Sequence, residues 1–411
     1  MDKENRNLIS NFNKGWTLRN AENDSVTDVI ATDALPSENK AILTLSKDKP
    51  VLQKYEFTAD ISDKGAYRFC VEYSVSGARS QLAAYGLITL LDSAGNGKRR
   101  LYMKRNGKYL ELTFVSEEEC QARIELGMKQ AGSVIWSNPV LNQCEMPKAR
   151  NVKIASVHMD VIRSSTYENN LKRIENGVCE AAANGADVVL FPETIADRAT
   201  EMPEDKVFEP ISGTLCSFMK ELAEKNKCYI IFTYHETDEN GLKHNTAILI
   251  DRQGEIAGRY VKTHQALVEY ERGMVPGDLY PVFDTDFGRI GILICWDAYF
   301  AEPAHELSMQ GAEILFVSTA GNPTYRHIAR AKENGVYVAV ACAGQQDDSG
   351  IHPTKIISPS GRILSHTDED GGLAFAEIDL NKNDYIYWLS VGDANTNPRE
   401  VYSNEYRDDI I

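Results

Sequence analysis

The chain has 411 residues, 43% of them hydrophobic and 25% charged, and a formal net charge of −16. This length and composition predict a globular protein of two domains, while the acidic balance argues against nucleic acid and anionic membranes as partners. No apolar stretch approaches the roughly 20 residues that a membrane helix requires, and the first residues lack the apolar segment of a secretory signal, so we expect a cytoplasmic protein.

The first third of the chain is rich in short strand patterns separated by turn signals, with no convincing helix. The predicted strands are residues 41–45, 67–73, 87–91, 109–114, 121–126 and 132–136. Many short strands without helices favour a β-sandwich. A short polar linker containing a proline, residues 144–150, marks the boundary. We therefore predict a β-sandwich domain over residues 1–146 and a second domain over residues 151–411.

After the linker, strand and helix patterns alternate, which predicts an α/β fold. The predicted helices are residues 167–183, 214–225, 302–310 and 325–334. The predicted strands are residues 152–158, 187–191, 229–234, 246–250, 255–261, 290–294, 312–317, 336–342, 354–357 and 373–378. We expect strands 246–250, 255–261 and 290–294 to form one meander.

Three of these strands end in side chains that suit covalent catalysis, namely Glu193, Lys262 and Cys295. Reaction sites of layered α/β proteins lie at strand ends, so the three side chains could converge. A thiolate is a nucleophile, a carboxylate can take its proton, and an ammonium can stabilise an oxyanion. We expect the ammonium to lower the pKa of the thiol and burial to raise that of the carboxylate. Taken alone, Cys295 has the alternative of a small core residue.

The residues around these strand ends resemble the nitrilase, or carbon–nitrogen hydrolase, superfamily, from about residue 151 to about residue 379. The matching motifs are Phe-Pro-Glu (191–193), Tyr-Val-Lys (260–262) and Ile-Cys-Trp-Asp (294–297). The resemblance implies a four-layer αββα sandwich with a Glu193-Lys262-Cys295 triad. It also implies hydrolysis of a non-peptide C–N bond, amide or N-carbamoyl, in a small molecule through a thioester, and a homodimer or larger homo-oligomer.

Members of this family place a second glutamate between the lysine and the cysteine, and this chain offers Glu269 and Glu271 there. We favour Glu269 as the catalytic one, from its distance to Gly273 and to the turn at 276–277. Glu271 is then a solvated neighbour and a candidate for substrate binding. Residues 194–208 are rich in charged side chains, which suggests a polar substrate.

Further substrate-binding candidates are Trp296, His264, Asn322 and His327. The backbone N–H of Trp296 would help to hold the oxyanion. His264 could be a base paired with Cys295, as in papain-like enzymes, although its position two residues after Lys262 favours a loop residue that shapes the cleft. For His327, an ordinary partly buried histidine is an equal alternative. Asp297 is predicted to anchor the turn after the nucleophile by accepting backbone hydrogen bonds.

The eight cysteines show neither a CxxC pair nor zinc spacing, and no phosphate-cradling glycine motif is present, so we expect no metal and no organic cofactor. Five are predicted to be reduced core residues: Cys70, Cys179, Cys216, Cys228 and Cys342. The competing functions are nitrile hydrolysis and an inactive hydrolase core that only presents the β-sandwich. The Asp after Trp296 resembles the amidase branches, and the complete triad argues against an inactive core.

The N-terminal strands resemble a galactose-binding-like jelly roll, which implies a carbohydrate ligand. The aromatic side chains that could stack on a sugar are Trp16, Tyr85, Tyr102 and Trp136. The alternative is that these rings belong to the core of the sandwich and that the domain only packs on the hydrolase. Fold likeness by itself does not supply a ligand.

Overall fold

The structure is a computed structural model that describes residues 7–9, 12, 15–20, 39–45, 52–78, 83–162, 165–321, 325–344, 353–382, 386–388 and 392–394. The chain divides into two compact units, Met1–Lys148 with Asn383–Ile411, and Ala149–Lys382. The division falls inside the predicted linker, residues 144–150. Among the predicted substrate-binding residues, Asn322 lies outside the described residues.

The first unit is built from antiparallel strands, which in the described part of the chain are β1 (Thr17–Asn20), β2 (Lys40–Leu45), β3 (Gln53–Ile61), β4 (Gly65–Ser76), β5 (Ala84–Leu91), β6 (Gly97–Tyr102), β7 (Lys104–Asn106), β8 (Tyr109–Ser116), β9 (Cys120–Met128) and β10 (Gly132–Cys144). They form two five-stranded sheets, in the orders β1-β3-β9-β5-β6 and β2-β10-β4-β8-β7. Alternate side chains of both sheets, such as Phe69, Ile88 and Ile124, fill one apolar core between them. The predicted β-sandwich is confirmed.

The aromatic residues proposed to stack on a sugar have different positions in this unit. Trp136 is fully buried in the core, so of the two alternatives the core position holds for it. Trp16 is half-buried and packs against Phe12 and Phe57, with ring centroids 4.8 and 5.2 Å away. Burial of these rings follows from the need of a small sandwich to cover its core with large apolar groups.

The second unit alternates strands and helices. Its strands are β11 (Asn151–Val157), β12 (Val188–Leu190), β13 (Tyr229–Thr237), β14 (Lys243–Ile250), β15 (Ile256–Val261), β16 (Val282–Asp284), β17 (Arg289–Ile294), β18 (Ile314–Thr319), β19 (Tyr337–Cys342), β20 (Thr354–Ile357), β21 (Ile363–Thr367) and β22 (Leu373–Asp379). Its helices are α1 (Tyr167–Ala183), α2 (Glu204–Val207), α3 (Thr214–Asn226), α4 (Leu267–Glu271), α5 (Glu302–Met309) and α6 (Tyr325–Asn334).

Two six-stranded sheets of this unit pack face to face, in the orders β15-β14-β13-β12-β11-β22 and β16-β17-β18-β19-β20-β21. Ile154 and Leu190 of the first sheet meet Ile292 and Phe316 of the second in a buried apolar layer. Helices α1 and α3 cover the outer face of the first sheet, and α5 and α6 cover that of the second. The four layers confirm the predicted αββα sandwich.

The predicted meander is wrong in its last strand. β14 and β15 pair antiparallel, whereas β17 lies in the other sheet, between β16 and β18. The chain between β15 and β16 carries α4 and passes from one sheet to the other, so adjacency along the sequence does not give adjacency in the sheet. As a result, Lys262 and Cys295 reach the site from opposite sheets.

The C-terminal segment differs from the predicted hydrolase domain, which ran to residue 411. Strands β23 (Ile386–Trp388) and β24 (Gly392–Ala394) pair with each other, and β24 lies against β6. The segment therefore groups with the first unit. No helix among the described residues has the length and apolar character needed to span a bilayer.

All eight cysteines lie within the described residues, and no disulfide joins any of them. Cys216, Cys228 and Cys342 are buried, as predicted, and Cys70 is half-buried. Cys179 is exposed, so its prediction as a core residue is wrong. The apolar stripe of α1 runs through Ile174, Val178 and Ala181, and Cys179 lies one residue, about 100° of helical rotation, away from Val178.

Candidate active site

Glu193, Lys262 and Cys295 line one cavity of about 520 Å³. Each follows a strand of the αββα sandwich: β12, β15 and β17, respectively. The structure thus brings together the three residues that the sequence singled out. Among the described residues, no group of three His, Cys, Asp or Glu side chains is arranged to hold a metal ion.

Cys295 begins a 3₁₀ turn, Cys295–Tyr299, with a φ of +44°. A left-handed conformation costs a non-glycine residue about 1–2 kcal/mol and persists where its surroundings impose it. Asp297 supplies that restraint, since its carboxylate accepts hydrogen bonds from the backbone N–H groups of Ile294 (2.9 Å) and His264 (2.8 Å) and from the hydroxyl of Tyr260 (2.7 Å). The predicted anchoring role of Asp297 is confirmed.

A buried cluster of polar groups lies beside the thiol. Lys262 Nζ donates to Glu193 Oε1 (2.9 Å) and to Glu269 Oε2 (2.8 Å). Asn245 Nδ2 donates to Glu193 Oε1 (2.9 Å) and to Glu269 Oε1 (2.7 Å). One ammonium and one amide therefore bridge the same two carboxylates and hold them in fixed positions.

Glu269, and not Glu271, is the second glutamate of this cluster. The backbone N–H of Ala266 also donates to Glu269 Oε2, at 2.7 Å. Glu271 is exposed and does not line the cavity, which agrees with a solvated neighbour, and substrate binding by Glu271 stays a prediction. Two residues apart on α4, the side chains of Glu269 and Glu271 point in directions about 200° apart, and only one can face inward.

The charges around the cluster set the protonation states. Burial alone would raise the pKa of Glu193, but Lys262 and Arg198 lower it to about 2; Arg198 Nη2 lies 3.6 Å from Glu193 Oε2. Burial opposes the ammonium of Lys262, yet Glu193 and Glu269 hold its pKa above the usual value. Burial and the nearby Glu193 raise the pKa of Cys295 to about 12 against the pull of Lys262.

These directions reverse the prediction of a lowered thiol pKa and a raised carboxylate pKa. The reason is that the two cations Lys262 and Arg198 flank the carboxylate of Glu193, whereas at the thiol of Cys295 burial and Glu193 outweigh the effect of Lys262. At rest, the site therefore holds a carboxylate, an ammonium and a neutral thiol. A base that is already ionised stands beside a nucleophile that still carries its proton.

The lining of the cavity includes a second polar chain, Asp197, His235 and Arg272. His235 Nδ1 lies 2.9 Å from Asp197 Oδ2, and its Nε2 lies 3.1 Å from Arg272 Nη1. A guanidinium only donates, so Nε2 must accept and Nδ1 carries the hydrogen that is donated to Asp197. The ring of His235 is thus held in one orientation between Asp197 and Arg272.

The remaining predicted site residues lie elsewhere, and none of His264, Trp296 and His327 lines this cavity. His264 Nε2 contacts Glu302 Oε1 at 3.0 Å, and its ring stacks on Phe300. These contacts favour a loop residue over a base paired with Cys295, and substrate binding by His264 stays a prediction. The backbone N–H of His264 donates to Asp297, which fixes the chain directly after Lys262.

The side chains of Trp296 and His327 also lie outside the cavity lining. The ring of Trp296 is 37% exposed and packs against Tyr299, because successive side chains of a 3₁₀ turn point about 120° apart. His327 is buried on α6, where desolvation, Lys355 and nearby arginines hold its pKa well below the usual value. The backbone N–H of Trp296 stays a predicted oxyanion donor, and the burial of His327 agrees with the alternative of an ordinary buried histidine.

Asn245, Arg198, Asp197 and His235 line the cavity but were not predicted as site residues. Asn245 had a usable signal, since it is a polar residue directly before the apolar run 246–250. A buried amide at the head of a core strand needs partners, and here these are the two glutamates. Arg198 and Asp197 belong to the charged segment 194–208, which had suggested a polar substrate.

A four-layer αββα sandwich with a thiol, an ammonium and two carboxylates in one cavity defines a layered α/β hydrolase. The model of the carbon-nitrogen hydrolase family matches residues 153–384. The chain belongs to this family, which places it among the amidase-type carbon–nitrogen hydrolases of the nitrilase superfamily.

Individual relatives agree with this assignment. The chain is 26% identical over 249 residues to the omega-amidase of Homo sapiens, covering 56% of this chain and 89% of the relative. It is 32% identical over 237 residues to the deaminated glutathione amidase of Synechocystis sp., covering 52% of this chain and 87% of the relative. The amidase of Nesterenkonia sp. AN1 shares the fold, with a TM-score of 0.51 at 20% identity over 64% of this chain and 97% of that protein.

Proposed function

We propose that this enzyme hydrolyses the C–N bond of a small amide or N-carbamoyl compound through a thioester on Cys295. Glu193 is the general base and acid, and Lys262 binds the oxyanion. The supporting observation is that Lys262 Nζ lies 2.9 Å from Glu193 Oε1 in the cavity that Cys295 also lines. A base, a cation and a nucleophile that line one cavity support this chemistry.

The first step forms the thioester. The thiol proton of Cys295 moves to Glu193 as the sulfur attacks the carbonyl carbon, and the C=O electron pair moves to the oxygen. Because the thiol pKa is about 12, a preformed thiolate is scarce at neutral pH, so proton transfer accompanies attack. Two N–H groups of Lys262 bind the carboxylates, and its third N–H is the donor for the oxyanion.

The second half releases the products. As the tetrahedral intermediate collapses, the C–N bond breaks, its electron pair goes to nitrogen, and the nitrogen takes the proton from Glu193. A water molecule then gives a proton to Glu193 and attacks the thioester. The C–S bond breaks, the sulfur regains the proton, and the acid leaves. The sum is amide plus water giving acid plus ammonia or amine, with the protein restored.

Glu269 and Arg198 keep Glu193 in its working state. Glu193, Glu269 and Lys262 together carry one net negative charge, which the guanidinium of Arg198 balances. Glu269 shares its donors with Glu193 and takes no part in the proton transfer. We therefore assign Glu269 and Arg198 as positioning residues.

The protonation states predict a broad pH profile for kcat/KM. Activity requires an ionised Glu193, whose pKa of about 2 places the acid limb far below neutrality, and a protonated Lys262, whose raised pKa places its loss at strongly alkaline pH. We expect kcat/KM to vary by less than about threefold between pH 5 and 9. An acid limb near pH 6, as for an imidazole base, would contradict the assignment of Glu193.

The size and lining of the cavity support a small polar substrate. About 520 Å³ is within the range of small-molecule sites, and Arg198, Asp197 and Arg272 add charged groups to the wall. The amidase names of the relatives from Homo sapiens and Synechocystis sp. support an amide. A homo-oligomer, a carbohydrate ligand of the first unit and a cytoplasmic location stay predictions.

Substrate screening tests the proposal. We expect ammonia release from at least one compound in a panel of ω-amides, N-carbamoyl compounds and aliphatic amides, with stoichiometric acid. Aliphatic nitriles of matched chain length serve as the comparison. Turnover of nitriles with none of amides would favour the nitrile hydrolase alternative, and no turnover of any compound would favour an inactive core.

A further inference from the structure

Asn245 has a carbonyl oxygen without a hydrogen-bond partner in the described part of the protein. Its Nδ2 donates to Glu193 and to Glu269. Ionised carboxylates only accept, so the amide nitrogen must face them, and the orientation of the side chain is fixed. Oδ1 then points away from both carboxylates.

The position of this oxygen suggests what pairs with it. Asn245 is only 2% exposed and lines the same cavity as Cys295. Its cross-strand neighbour on β13 is His235, whose N–H is already donated to Asp197. Native proteins pair nearly all buried acceptors, so the missing donor is expected to enter through the cavity.

We propose that Asn245 Oδ1 accepts a hydrogen bond from the N–H of the scissile amide, and that this contact selects amides bearing at least one N–H over esters, N,N-disubstituted amides and nitriles. The proposal rests on the proposed function, because it places the reacting group in this cavity. A site built to bind an N–H discriminates against analogues without one, since those leave a buried polar group unpaired.

The same contact would orient the leaving group. One side chain holds Glu193 through Nδ2 and the substrate nitrogen through Oδ1. With its N–H directed at Oδ1, the nitrogen of the tetrahedral intermediate turns its electron pair toward the protonated Glu193. Asn245 thereby aligns the proton donor and the departing nitrogen before the C–N bond breaks.

The test compares a primary amide with the methyl ester of the same acid in wild type and in Asn245→Ala. Both substrates require Glu193 for acylation, so loss of the Nδ2 contacts lowers kcat/KM for both. We expect the amide to lose about tenfold more than the ester, the typical effect of one lost hydrogen bond. In wild type, the N,N-dimethyl amide should be the poorest of the three substrates.

Asn334→Ala is the matched control, because Asn334 is a buried amide on α6 that donates to the carbonyl of Arg330 (3.0 Å) and does not line the cavity. Its amide-to-ester ratio should equal that of wild type. Equal losses for amide and ester in Asn245→Ala would overturn the inference while leaving the proposed function intact. The primary amide is one that wild type turns over in the substrate panel, and if wild type turns over no compound of that panel, the proposed function fails and this inference with it.

Should Asn245→Ala fail to fold, Asn245→Ser replaces it. Serine keeps a small polar group at this buried position but is too short to reach both glutamates and a substrate. The expected and contradicting amide-to-ester ratios are the same as for the alanine variant.

Discussion

Replacing Cys295 by alanine should lower amide hydrolysis by about four orders of magnitude or more, because no other group can form the thioester. The fold should be retained. Alanine keeps the Cβ that cysteine has, so the left-handed conformation at φ +44° carries no added strain, and Asp297 still anchors the turn. Ammonia release and a thermal melt of the same sample measure the two effects.

Cys228→Ala is the control for loss of a thiol. Cys228 is fully buried but does not line the cavity, so this variant should lose some stability and keep its turnover. If Cys295→Ala retained more than about a tenth of wild-type kcat/KM, the nucleophile would have to be another group.

Replacing Lys262 by methionine should remove activity and also destabilise the protein by about 3–5 kcal/mol. Methionine leaves Glu193 and Glu269 joined through Asn245 with no bridging cation between them. Two buried carboxylates that share an amide cannot both stay ionised, and one of them should take up a proton. Chemical denaturation of both proteins gives the difference in the free energy of unfolding.

The pH dependence of that difference identifies its cause. In wild type, the lowered pKa of Glu193 stabilises the fold above the unfolded value of about 4.3, and this contribution is lost as pH falls toward 2. In Lys262→Met, a buried carboxylate that has lost its ammonium partner has a raised pKa. Its ionised form destabilises the fold, so protonation at lower pH removes that destabilisation. The gap between the two proteins should therefore narrow from pH 7 to pH 4.

Lys220→Met provides the comparison for an exposed lysine, since Lys220 Nζ lies 3.5 Å from Glu255 at the surface. Loss of such a surface pair should change stability by at most about 1 kcal/mol. An equal effect of the two substitutions, or a gap that is constant with pH, would contradict a buried charge cluster at Lys262.

The convergence of Glu193, Lys262 and Cys295 could be predicted because each follows an apolar strand, and strand ends of layered sheets share an edge. The choice of Glu269 over Glu271 also agrees with the structure. The charge balance could not be predicted. It depends on Arg198, which reaches Glu193 Oε2 from a turn that Asn170 of α1 holds through the backbone carbonyls of Ala196 and Arg198.

The direction in which a side chain points is what the sequence predicts least well. His264 is two residues from Lys262, yet its ring points to Glu302 and Phe300. Asn245 contacts Glu269 and Glu193, which are 24 and 52 residues away along the chain. The sequence therefore does not show which groups Asn245 contacts. In the first unit, β3 was not predicted, because Lys54 and Glu56 on its outer face are typical of a solvated segment. In the structure, Lys54 pairs with Glu125 of the neighbouring β9.

Mass spectrometry of the protein during turnover tests the central claim most directly. Rapid quenching with an amide that is turned over, followed by peptide mapping, should show one adduct, on the peptide that contains Cys295, with the mass of the substrate minus ammonia. The adduct should form and decay as fast as turnover requires. Turnover at the full rate with no acyl group on Cys295, or with the acyl group on another residue, would contradict the account.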